Sequence, residues 1–183
     1  MMKRIIVLIV MLSLPLAVKG QNVAVSTNVM DYAMLGTINA AASVGVSRHW
    51  TVDASVKYNP FVFGREGETR QLQQRMISAG ARWWPWHAFS GWWISGKAQY
   101  QEFCHGGFSS EQTSEGDRYG GNLTAGYSYM LGKHFNLDLG LGMWGGYETY
   151  VTYACPHCGS VVDEGDKYFI LPSDIILSLS YIF

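Results

Sequence analysis

Apolar and polar residues alternate with a period of two along most of this chain, in segments of about ten residues, which is the strand period and not the helical one. In "TINAAASVGVS", Ile38, Ala40, Ala42, Val44 and Val46 fall on one face, and Thr37, Asn39, Ser43, Gly45 and Ser47 on the other. "WTVDASVKYN" repeats the pattern, with Val52, Ala54 and Val56 opposite Thr51, Asp53, Ser55, Lys57 and Asn59. "YGGNLTAGYSYML", "FNLDLGLGMWGGYE" and "SDIILSLSYIF" do the same. Less regular runs at 23–32, 71–84 and 91–103 bring the expected strands to eight.

The connections between these runs alternate in length. Short turns fall at "SRHW", "PWHAFSG" and "GKHF", and longer polar connections at 64–70, 105–118 and 152–167; only the first hairpin, around 33–36, lacks a long loop on that side. Outer-membrane barrels place short turns in the periplasm and longer loops outside. The polar face is mostly Ser, Thr, Asn and Gly with few charges, which suits a crowded interior better than a wet surface. The apolar face gathers aromatics near strand ends: Trp50, Tyr58, Trp83, Tyr100, Tyr119, Phe135, Tyr147, Tyr181 and Phe183. Such rings of aromatics mark the two membrane interfaces of a barrel. The expected fold is all-β: an eight-stranded antiparallel up-and-down transmembrane β-barrel, closed because closure removes sheet edges.

The ends and the composition agree with that placement. "MMKR", an apolar run over 5–14 and then "PLAVKGQN" read as a secretory signal peptide over 1–20, leaving 21–183 as the barrel domain. No later apolar run approaches the roughly 18 residues of a membrane helix. A net charge of −1 with 15% charged residues gives no basic field for nucleic acid. The expected location is an outer membrane, reached by Sec export. The expected partners are its lipid and the barrel-assembly machinery, acting through the C-terminal strand.

Inward faces would carry Asp53, Lys57, Arg82, Lys97, Asp138, Glu148 and Asp174. Unpaired buried charges are costly, so an ion-pair plug is expected, with Asp53, Arg82 and Asp138 at similar depth near the turn end. A narrow ion path is the alternative. His49, His87 and His134 fall in the short turns, two of them beside Arg48 and Lys133; they are either solvated turn residues or a basic rim for lipid phosphate. No residue is assigned a catalytic role, because no histidine stands in sequence beside a nucleophile. A lipid- or disulfide-directed enzyme is the remote alternative.

"ACPHCG" places Cys155 and Cys158 around Pro156 and His157 in the last long connection, while Cys104 and His105 open the one before it. A redox-active Cys-x-x-Cys needs a helix N-terminus on a βαβ scaffold, and no such pattern surrounds this one. A disulfide, local or between loops, is the first expectation for an exported chain. A structural zinc held by the three cysteines with His105 or His157 is the second; no other cofactor is expected. The polar loops themselves are candidate recognition surfaces.

Three features resemble a family of small, functionally uncharacterised outer-membrane barrels of the Bacteroidota. They are "TNVMDYAMLGTINAAASVGVSRHWTVDASVKYNPF", the Cys-x-x-Cys-Gly before the last strand, and the ending in alternating apolar residues. The likeness covers essentially the whole of 21–183. It implies a barrel without known catalytic residues and, because family members are often encoded near fimbrial genes, a surface or fimbrial protein partner.

Overall fold

The alternating runs become paired strands in a computed structural model that describes residues 23–63, 70–107, 112–155 and 159–183. The expected signal peptide over 1–20, and also His157 and Cys158, lie outside the described residues. The strands are β1 (Val23–Asn28), β2 (Ile38–Ser47), β3 (Trp50–Asn59), β4 (Val62–Phe63), β5 (Arg70–Trp83), β6 (Gly91–Gly106), β7 (Thr113–Met130), β8 (Phe135–Tyr153) and β9 (Val161–Ile182). Each long strand pairs antiparallel with its neighbours, and β1 pairs with β9, so eight strands form a closed ring; the two-residue β4 only extends the edge of β5.

The ring closes with a stagger. Following partners from Val25 leads through Ala42, Ala54, Ala79, Ala98, Gly121 and Gly145 to Ile170, yet Val25 itself faces Tyr181, eleven residues further along β9. Such an offset forces the strands to tilt about the ring axis. Rows of paired residues therefore climb around the ring, and the strands lengthen in the same direction. β1, β2 and β3 have 6, 10 and 10 residues, whereas β6, β7, β8 and β9 have 16, 18, 19 and 22. One side of the ring continues as a tall wall on the end opposite the short turns.

Two expectations about element boundaries are corrected. The first strand does not run to residue 32: it stops at Asn28 and gives way to a five-residue helix, α1 (Val29–Ala33). Asn28 causes the stop by capping the helix, its Oδ1 accepting from Met30 N at 3.3 Å and from Leu177 N at 3.0 Å. Most of the described residues in the polar stretches 105–118 and 152–167 are also strand and not loop. The β6–β7 ladder reaches Gly106 opposite Thr113, and the β8–β9 ladder reaches Tyr153 opposite Val161. Their outer faces carry charges in place of apolar residues, so the pairing continues where hydrophobic alternation has ended.

Candidate functional site: a doubly plugged interior inside an apolar band

Small residues line the interior and leave space for a few large ones. Trp93 on β6 points inward and is 1% exposed. It lies over Gly126 and Gly140 of the next two strands, where a Cβ added at Gly140 would stand 2.8 Å from its ring. Glycine at these two positions is what makes room for the indole.

Beside Trp93 lies the lower plug. Arg82 donates from Nε to Asp53 Oδ2 at 3.0 Å, and its Nη1 stands 3.6 Å from Asp138 Oδ2. Thr51 donates to Asp53 Oδ1 at 3.2 Å, Ser180 donates to Asp138 Oδ2 at 2.9 Å, and Ser128 donates to Asp138 Oδ1. The guanidinium packs over Trp93 at 4.2 Å and Trp84 at 5.4 Å, while the Trp84 indole N–H donates to Thr51 at 3.2 Å. One cation thus sits between two carboxylates that are themselves hydrogen-bonded, the arrangement that makes buried charge tolerable. Asp53 is 1% exposed.

In the middle of the interior, α1 turns Asp31 inward to Lys57 at 3.1 Å. A cavity of about 60 Å³ separates this pair from the lower plug, and Lys97 also lines it. The upper plug lies within the tall wall. Arg118 donates from Nε to Glu148 Oε2 at 2.6 Å, and Lys167 reaches Oε1 of the same carboxylate at 3.5 Å. Arg118 stacks on Phe103 at 3.8 Å, with Phe169 and Trp144 packed edge to face beside it at 4.8 Å. His105 stacks on Phe103 from above at 5.0 Å, and burial, reinforced by the Arg118 charge, holds its pKa below the ordinary range. Above this lies a polar cup of about 310 Å³ that includes His105, Ser114, Tyr150 and Lys167.

Of the seven charged residues expected inside, Asp53, Arg82 and Asp138 share the lower plug, Lys57 and Lys97 line the middle, and Glu148 belongs to the upper plug. Asp174 lies on β9, but its side chain is outside the described ones. Asp31, Arg118 and Lys167 complete the networks, and sequence reasoning missed all three. Asp31 was hidden in a run read as strand. Arg118 and Lys167 closed stretches read as loop, although each stands at an even spacing from an inward-facing residue, Asn122 and Phe169 respectively.

The turn histidines have a local task. His49 Nδ1 donates to the Trp84 carbonyl and accepts that residue's amide on its own carbonyl, both at 2.9 Å; His134 clips Ile182 in the same reciprocal way. These are pins between neighbouring strand ends.

Cys104 and His105 lie on opposite faces of β6, as adjacent strand residues must. His105 faces the interior, whereas Cys104 carries a free thiol that accepts from Gln71 Nε2 at 3.4 Å. Burial, and then Glu115, push that thiol's pKa up, which disfavours a reactive thiolate. Val151, and not Cys155, shares the row of Cys104 and Glu115. Cys104 is free in this structure and joins no disulfide to the last connection, and Cys104 and His105, pointing to opposite faces, diverge from a shared zinc site. Among the described residues no group of three or more His, Cys, Asp or Glu is placed to hold a metal.

The outer face is the reverse of the interior. Leu141, Leu123, Ile175, Ile77 and Met143 are 58–68% exposed, and the described outward positions between the two aromatic levels carry no charge; Arg75, two residues before Ile77 and paired with Tyr58, marks the upper limit. At the turn end this band meets Trp50, Trp83, Phe135, Tyr181 and Phe183, together with Trp92 and Tyr129. At the other end stands Tyr58, and Tyr100, Tyr119, Tyr147 and Tyr168 form one unbroken cross-strand row. Beyond the row the outward positions become Glu102, Asp117, Thr149 and Asp166.

A closed antiparallel ring of eight strands, polar and ion-paired within and apolar without, is the class this architecture defines. The model of a family described as a protein of unknown function (DUF3575) matches residues 6–183, and the chain belongs to that family. No curated protein matches it.

Proposed function

We propose that the protein is a non-enzymatic transmembrane β-barrel of an outer membrane, which holds its tall wall outside the bilayer for interaction. The observation that carries this reading is the uncharged apolar band between two aromatic rings. From Trp50 to Tyr58 the chain advances about 26 Å along β3, or about 20 Å of height at a tilt of ~40°. That approaches the roughly 25 Å apolar belt of known outer-membrane barrels. A water-soluble monomer rarely exposes an apolar patch beyond a few hundred Å².

The interior supports a structural role over conduction. Its charges pair with one another in the two plugs and in the Asp31–Lys57 pair between them, and aromatic rings pack against both plugs. Cys155 and Cys158 are proposed to close the last connection by a local disulfide; the free thiol of Cys104 leaves them as each other's partner. Assembly through the C-terminal strand, and a surface or fimbrial partner, belong to the same proposal. Gel migration with and without heating tests it: folded protein recovered in detergent should run faster than the boiled sample. A monomer that stays soluble without detergent overturns it, and steady single-channel current in a planar bilayer would replace anchoring by conduction.

A further inference from the structure

The stagger of the ring leaves one edge uncovered. β8 pairs with β9 along its whole length, up to Tyr153 opposite Val161. On its other side β9 meets β1 only from Ser178 to Ile182. Just above, Asn28 takes over, donating from Nδ2 to the Ile175 carbonyl at 3.2 Å and accepting from Leu177 N, while α1 packs along the seam. Higher still, over residues 161–169, no described residue pairs with this edge. The uncovered stretch begins at the tyrosine row and rises away from the apolar band. Tyr168 there is 86% exposed, the most exposed large hydrophobic side chain among the described residues.

An unpaired strand edge is a template for another strand, and proteins ordinarily keep such edges short or covered. We propose that residues 161–169 of β9 are the docking site for an extended, basic segment of another protein, which adds to the sheet as a further strand. Backbone hydrogen bonds would supply affinity, and alternate side chains would set the choice of partner. The charges on the edge define that choice. Toward the interior, Lys167 is held by Glu148, and Asp163 accepts from the Tyr150 hydroxyl at 3.0 Å. Glu164 and Asp166 point outward and dominate the face a new strand would meet, so lysine or arginine at alternate positions complements them.

A second copy is a poorer occupant. Full antiparallel overlap of two such edges centres on Gly165 and sets Glu164 directly against the partner's Asp166, a like-charge cross-strand pair. The proposal rests on the membrane reading only for where the edge is displayed, since the pairing itself needs a folded ring and nothing more.

The test uses folded protein in detergent and a peptide of matching length in which valine and lysine alternate. Its controls are the same peptide methylated on alternate backbone nitrogens, in both registers, and a valine–glutamate peptide. Saturable binding of the valine–lysine peptide is expected, with at least about a tenfold loss in one methylated register. In the variant carrying Glu164→Lys and Asp166→Lys, preference should pass to the glutamate peptide. Equal binding of the methylated peptides would show charge attraction without strand addition and overturn the proposal. So would absence of binding to protein that still shows heat-modifiable migration, or self-association that blocks the edge. Failure of the membrane reading is a separate result, visible as solubility without detergent.

Discussion

The lower band and the tall wall are built from the same continuous strands, yet they obey opposite surface rules. In the band, β6 shows Ile94 and Ala98 outward and Ser95 and Gln99 inward; eight residues up the same strand, Glu102 faces outward and Phe103 inward. The backbone ladder is indifferent to this inversion. Each region also has its own plug: Arg82 between two carboxylates below, and Glu148 between two cations above. A strand is therefore specified by pairing, whereas what faces outward is specified by the surroundings of each level.

The largest expected effect separates the two plugs. Arg82→Ala leaves Asp53 and Asp138 buried without their shared cation, and loss of one partner from a buried pair costs about 3–5 kcal/mol. Arg118→Ala leaves Glu148 with Lys167, so its cost is nearer 1–3 kcal/mol, roughly that of a charge-assisted hydrogen bond. Urea unfolding in detergent, followed by heat-modifiable migration, measures both. Equal losses would mean that the two levels form one cooperative unit and the comparison fails.

Next comes the outer face. Leu141→Arg places a charge in the middle of the apolar band, where a lipid-facing cation costs about 2–4 kcal/mol. Glu164→Arg on the wall should stay within about 0.5 kcal/mol, as for an ordinary surface exchange. The same unfolding assay in lipid vesicles reads the difference. A harmless Leu141→Arg would remove the band from the membrane.

The part of the molecule that could be read from its sequence is the part where two environments alternate. Between Trp50 and Tyr58 the apolar residues face outward and the alternate polar ones inward without exception, so Asp53 and Lys57 could be assigned inward without a structure. On β7 above the tyrosine row both faces are polar, and "SEGDRY" gives the eye no period although it is regular strand. Arg118 was lost for that reason. Asp31 was lost for another: a single capping side chain, Asn28, converts the five residues 29–33 into α1 and turns the carboxylate inward. Hydrophobic alternation reports what surrounds a strand, and it falls silent where both faces carry polar side chains.

The smallest effect concerns acid and belongs to the wall alone. Because burial and Arg118 lower the His105 pKa in the folded chain from its ordinary 6.5, the unfolded chain binds more protons across the window between the two values. Stability from the neutral ring is therefore complete above 6.5 and declines as pH falls below it. Protonation also sets a second cation on Phe103 beside Arg118, loosening the upper plug from within. Amide hydrogen exchange near residues 103–106 and 113–118 should accelerate between about pH 7.5 and about pH 5, after correction for intrinsic rates, while Thr51 to Val56 keeps its protection. His105→Asn should flatten that response at the wall and leave the band unchanged. If the band opens in parallel, or if the response survives His105→Asn, the acid sensitivity lies elsewhere, and the independence of the two levels goes with it.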